Sequence, residues 1–230
     1  MFLQYLFTLL LFFQVVLLDS ASVTGARLAI PSLVYPVGGI IAGLVISRYG
    51  KLNPLVRVGA LLMAFGNALV TSLGFHNALY KYYVFIVPAN LGQGIISDNS
   101  VYEPSDLRAL RGRMHADIRP DHAVSASTVY LVRSVGSVWG VAISSAIVQT
   151  TLKARLPAAL GDLPDKPELI EHIRHSVITL KDLAPAIQLP ARMAYYEGIR
   201  YAFAASTGFA VLGLLASLFA NGKGLRSTSK

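Results

Sequence analysis

The chain contains no cysteine. That excludes a disulfide framework, a thiolate metal site and a cysteine nucleophile. Charge is also scarce: Asp, Glu, Lys and Arg make up 14% of the 230 residues, against about 25% in an ordinary soluble domain. A soluble protein of this length needs a charged skin around its core, and the few charges here are clustered instead of spread. No Lys or Arg precedes Arg27, so the first apolar run lacks the basic segment that opens a signal peptide. Polar Gln4 and Gln14 interrupt that run, which reads as a membrane helix. No G-x-S-x-G, no Gly-rich loop ending in Gly-Lys-Ser/Thr and no H-E-x-x-H occurs, and Asp98, Glu103, Asp106 and Asp117 scatter without a motif. The chain is therefore not expected to be an enzyme or to hold a cofactor.

Apolar residues are abundant, at 54% of the chain with a mean hydropathy of +0.55. They fall in runs of about 20, the length that crosses ~30 Å of hydrocarbon. Spans are expected over 1–18, 28–47, 55–75, 84–97, 123–148 and 201–220. The fourth is expected to be incomplete, because apolar character is lost after Ile96. This predicts an all-α membrane protein, a six-helix bundle surrounded by lipid. The net charge is +8, but its basic residues lie between apolar runs, which marks a membrane face and not a nucleic-acid partner. Arg48, Lys51 and Arg57 lie on one side, with Arg108, Arg111, Arg113, Arg119, Lys223, Arg226 and Lys230, whereas the opposite short links hold only Arg27 and Lys81. Both termini are expected to be cytoplasmic, with a tail at 221–230 and a long luminal loop at 149–200. Within that loop Leu169, Ile173, Val177 and Leu180 recur at helical spacing, after Asp165 as a cap and Pro167 in the first turn. His172 and His175 have no third ligand nearby and read as surface histidines, so no metal is expected.

Arg133 lies well inside the fifth run, near the bilayer midplane. A cation at that depth costs at least ~2.5–3.5 kcal/mol by insertion scales. Either it faces a water-filled cavity or an acidic partner, or the helix begins later and Arg133 snorkels to the interface. Gly136 and Gly140 form a GxxxG in the same helix, as Gly39 and Gly43 do in the second run, a pattern that suits close helix packing. Gln14, Asn90, Gln93 and Tyr130 are polar groups within or beside apolar runs. Such groups face either a neighbouring helix or a cavity. With Arg133 they suggest a polar path through the bundle.

Gly43, Arg48, Gly50 and Lys51 resemble the second-half copy of the major facilitator loop signature, G-x-x-x-D-R-x-G-R/K, with Ser47 where the acid often stands. Phe13-Gln14-Val15-Val16, Leu91-Gly92-Gln93-Gly94 and the stretch Ser127 to Gly136 resemble the later spans of 14-span drug:proton antiporters. Tyr195 to Phe203 resembles the fungal branch that includes vacuolar basic amino acid transporters. The resemblance departs at Ser97 to His115, which is polar where relatives stay apolar. It implies the carboxyl-terminal half of a secondary transporter, whose amino-terminal bundle would be the missing partner. It further implies exchange of protons for basic amino acids or drugs, at the vacuolar or plasma membrane. Gln14, Asn90, Gln93, Tyr130 and Arg133 would then line the cavity for a small cationic substrate. Gly43, Arg48, Gly50 and Lys51 would form the cytoplasmic loop that limits rocking. The alternative is a non-transporting membrane protein, an inactive product or an assembly partner.

Overall fold

A computed structural model describes residues 2–49, 52–75, 79–99, 120–160, 169–171, 173, 180 and 184–219. Among the described residues, six α-helices form the bundle. Helix α1, Phe2–Leu11, runs into a π-helical turn at Phe12–Val16. Then come α2, Ala21–Tyr49, α3, Leu52–Thr71, and α4, Leu79–Asn99. They are followed by α5, Pro120–Ala159, and α6, Pro185–Phe219. Among the described residues, four helices carry an 18-residue stretch apolar enough to cross a bilayer: Ala21–Tyr49, Asn53–Thr71, Tyr130–Ala159 and Pro185–Phe219. In α5 only 11% of that stretch is buried inside the protein. Leu131, Val132, Val138 and Trp139 are each more than half exposed on it. Water does not tolerate such a face, and lipid does. The protein is an all-α integral membrane protein.

Helix interiors keep Pro31, Pro36, Pro88, Pro157 and Pro190, which membrane bundles accommodate through neighbouring helices. The helices pack through van der Waals contact and small residues, since lipid tails are as apolar as any side chain. Gly38 and Gly94 mark the tightest crossing of α2 and α4. A Cβ on Gly94 would sit 2.1 Å from the Tyr35 carbonyl oxygen, and one on Gly38 would sit 2.5 Å from that of Leu91. The glycines expected to pack do so unevenly. Gly39 is buried, and a Cβ on Gly140 would meet the Gln4 side chain at 3.0 Å. Gly43 and Gly136 have nothing within 4 Å of that position, so the close approaches lie at other glycines.

The largest apolar cluster sits toward the end of the bundle that carries Arg27. It joins Phe12 and Phe13 to Tyr82, Ile86, Leu152, Leu156, Tyr195 and Ile199. Phe12 stacks at 5.1 Å on Tyr82. At the opposite end Arg57 of α3 donates to the Ser217 and Leu218 carbonyl oxygens of α6.

The helices exceed the apolar runs read from the sequence. The run at 84–97 is the middle of the 21-residue α4, about 32 Å long at 1.5 Å per residue. Helices α5 and α6 take up both ends of the expected 149–200 loop. Their extensions are amphipathic: Val148, Leu152 and Leu156 are buried at intervals of four, while Lys153 and Arg155 on the other face are exposed. Ile173 and Leu180 are buried in that cluster, and Leu169 packs against it. Asp165, Pro167, His172, His175 and Val177 lie outside the described residues, as do Gly50, Lys51, the expected tail and the stretch 100–119.

Candidate functional site

Six polar residues of the membrane region gather around one narrow cleft. Gln4 and Tyr5 of α1, Asn67 of α3, Asn90 and Gln93 of α4 and Ser206 of α6 line it, with Ala89 between them, and its enclosed part amounts to about 10 Å³. Helix α4 is less apolar because it carries Asn90 and Gln93 along with Lys81, Asp98 and Asn99, and it is not among the four clearly membrane-crossing stretches. Two glycines allow the residues to meet. At Gly66 an added Cβ would fall 2.2 Å from the Ala89 nitrogen, so α3 and α4 touch backbone to backbone and Asn67 arrives beside Asn90. At Gly140 the absence of a side chain leaves room for Gln4 to lie across α5.

The cleft is held by hydrogen bonds inside a water-poor interior, where each unmade bond costs about 1–3 kcal/mol. Gln4 Nε2 donates to Ser144 Oγ at 2.8 Å and to Ser206 Oγ. It thereby ties α1 to α5 and α6. Asn67 and Asn90 each donate one turn back, to the carbonyl oxygens of Met63 at 2.8 Å and Ile86 at 2.9 Å. Tyr5 stacks edge-on at 5.8 Å against Phe203. Its hydroxyl is buried without a hydrogen-bond partner.

The structure distributes the sequence-selected residues widely. Asn90 and Gln93 line the cleft. Gln14 is half-buried in the π-helical turn and is not among the lining residues. Tyr130 is 53% exposed on α5. Arg133 is half-buried and donates to the Tyr35 hydroxyl of α2, so its partner is a phenol and not the expected acid or cleft. Arg48 and Gly43 are exposed near the end of α2.

Gln4, Tyr5, Asn67 and Ser206 were not selected from the sequence as cleft residues. Gln4 and Asn67 carry the signal that picked out Asn90, an amide interrupting an apolar run. Tyr5 and Ser206 carry none, because both residue types are common in membrane helices.

Charged groups concentrate at the end of the bundle nearer Arg27. Arg27 pairs with Asp19 at 3.0 Å, both largely buried, and Arg155 pairs with Glu197 at 2.9 Å, both about half exposed. Arg192 of α6 donates to the carbonyl oxygens of Val15 and Val16 and stacks 5.1 Å from the Phe75 ring centre. A π-helical turn leaves its last carbonyls poorly placed for the regular ladder, and this guanidinium occupies two of them. Leu18 then turns the chain with a positive φ of 56°.

Comparison with known proteins finds fungal membrane transporters similar to this chain. The chain is 39% identical over 217 residues to an uncharacterised transporter of Schizosaccharomyces pombe, covering 91% of the chain and 36% of that protein. It is 40% identical over 165 residues to vacuolar basic amino acid transporter 2 of Saccharomyces cerevisiae, covering 72% of the chain and 33% of that protein. It is 31% identical over 176 residues to the MFS-type transporter clz4 of Cochliobolus lunatus, covering 76% of the chain and 28% of that protein. The chain thus spans about a third of the length of the curated relatives it matches. No family model matches the chain, and no solved structure matches it.

Proposed function

Because this chain belongs to the family of fungal MFS-type transporters, we propose that it forms part of a secondary transporter that moves basic amino acids across the vacuolar membrane in exchange for protons. The observation that carries this reading is the cleft where Gln4, Asn67, Asn90 and Gln93 converge from three helices inside a lipid-embedded bundle. Polar side chains are expensive in such a setting and persist where they face one another or a solute pathway. The residues bring hydrogen-bonding groups without fixed charge, which suits a solute that must enter and also leave.

The name of the Saccharomyces cerevisiae relative supports the substrate class and the compartment. In this reading a second helical bundle faces the one described, the solute binds between them, and rocking of one against the other exposes it alternately to each side. Protons and a small cationic solute are the transported partners.

The test is uptake of radiolabelled lysine into ATP-energised vacuolar vesicles from yeast expressing the chain. Uptake above that of vesicles lacking the chain, abolished by a protonophore, is expected. Equal uptake with the chain present in the membrane would overturn the proposal.

A further inference from the structure

The hydrogen bonds already made in the cleft determine which polar atoms remain to meet a solute. Asn67 Nδ2 lies 2.8 Å from the Met63 carbonyl oxygen, and Asn90 Nδ2 lies 2.9 Å from that of Ile86. An amide atom this close to a carbonyl oxygen must carry hydrogen, so each asparagine turns its own oxygen away from its helix. Gln4 is fixed by the same logic. Ser206 commits its only proton to the Ala202 carbonyl, and it therefore accepts from Gln4 Nε2. Gln4 Oε1, the acceptor end of that amide, lies against Gly140 of α5, so Gln4 lines the cleft without adding a free oxygen to it. Tyr5 adds a third oxygen to the two of the asparagines. The residue is 5% exposed and lines the same cleft, and its hydroxyl has no partner.

Three neutral oxygens thus come from α1, α3 and α4, and no carboxylate is among the lining residues. The enclosed part of the cleft takes about one group of the size of water.

We infer that Tyr5, Asn67 and Asn90 form a cradle of neutral oxygens for a primary ammonium group, the head of a lysine-like solute. An ammonium is compact, carries three donors and has no acceptor to leave unpaired. A guanidinium is planar and wider, with five donors in a fixed fork, and the space does not admit it. The alkyl stem of the solute leaves toward Gln93, the least buried of the polar lining residues. This inference rests on the cationic-solute reading above and adds a discrimination within it.

The experiment is calorimetric titration of the purified chain in lipid nanodiscs with L-lysine, L-arginine and L-norleucine, which has the lysine stem without its ammonium. Lysine is expected to bind, arginine to bind at least about tenfold more weakly, and norleucine not to compete. Asn90→Leu should weaken lysine about tenfold or more, the scale of a lost hydrogen bond to a charged group. Asn90→Asp keeps the shape, adds a negative charge and should tighten lysine. If Asn90→Leu does not accumulate in folded form, Asn90→Asp and Tyr5→Phe carry the test. Equal binding of lysine and arginine with norleucine excluded would overturn the cradle and leave the cationic-solute reading standing. Lysine binding indifferent to all three variants would do the same. Norleucine binding as well as lysine, or no binding by any of the three, would overturn both.

Discussion

The guanidinium of Arg133 donates a hydrogen bond to the hydroxyl of Tyr35, joining α5 to α2. Both residues lie within stretches apolar enough to cross the membrane, and both are half-buried. A cation in that position needs a partner or water, and a phenol oxygen supplies the partner without forming an ion pair. Tyr35→Phe should destabilise the purified protein by about 1.5–3 kcal/mol, the range for a hydrogen bond to a charged group. Arg133→Gln should do the same. The doubly substituted protein should be no less stable than the worse single variant, because both remove one interaction. Thermal unfolding in detergent measures all three, and strict additivity would show that the two side chains are not coupled.

Close approach at Gly94 gives a second prediction. An alanine there would place its Cβ 2.1 Å from the Tyr35 carbonyl oxygen, whereas at Gly136 it would meet nothing within 4 Å. Backbone oxygen cannot yield as a flexible side chain does. Gly94→Ala should lower stability by about 1–3 kcal/mol through overpacking. Gly136→Ala should leave it unchanged or slightly raised, since alanine favours the helix. Fluorescence-detected size exclusion after heating separates these outcomes.

The π-helical turn depends on Arg192. Val15 and Val16 are almost fully buried with the guanidinium in place, so their carbonyl oxygens lose a side-chain partner when it is removed. Arg192→Ala should cost about 1–3 kcal/mol. It should also speed amide hydrogen exchange around residues 12–19 more than elsewhere in α1. Arg192→Lys keeps the charge but not the fork and should recover only part of the loss. Uniform exchange rates across α1 in the alanine variant would contradict this role.

Much of the fold was legible in the sequence because lipid imposes a length and a composition on what crosses it. The runs at 28–47, 55–75, 123–148 and 201–220 each fall largely within a helix. The helical extensions beyond 148 and before 201 were not legible. Averaged hydropathy mixes the buried face of Leu152 and Leu156 with the charged face of Lys153 and Arg155, and the mixture looks like a loop. Asn90 and Gln93 stood out as amides in an apolar run, and Asn67 showed the same mark. What brings Asn67 to Asn90 is the contact of Gly66 with Ala89, a tertiary fact that no spacing within one helix encodes. Arg133 was legible as a buried cation, but its partner lies in another helix and belongs to a residue type with no charge to betray it. The GxxxG spacings gave candidate packing faces, and Gly136 shows that spacing alone does not say which face meets a neighbour.

The most direct test of the central claim, that the amide-lined cleft receives the transported solute, exploits the absence of native cysteine. Gln93→Cys places a single thiol on the cleft, at the least buried of its polar lining positions, and its rate of reaction with a membrane-impermeant thiol reagent is measured in nanodiscs. Lysine in the medium should slow that reaction several-fold while norleucine leaves it unchanged. A labelling rate indifferent to lysine, in a protein that still binds lysine, would place the solute elsewhere and contradict the account.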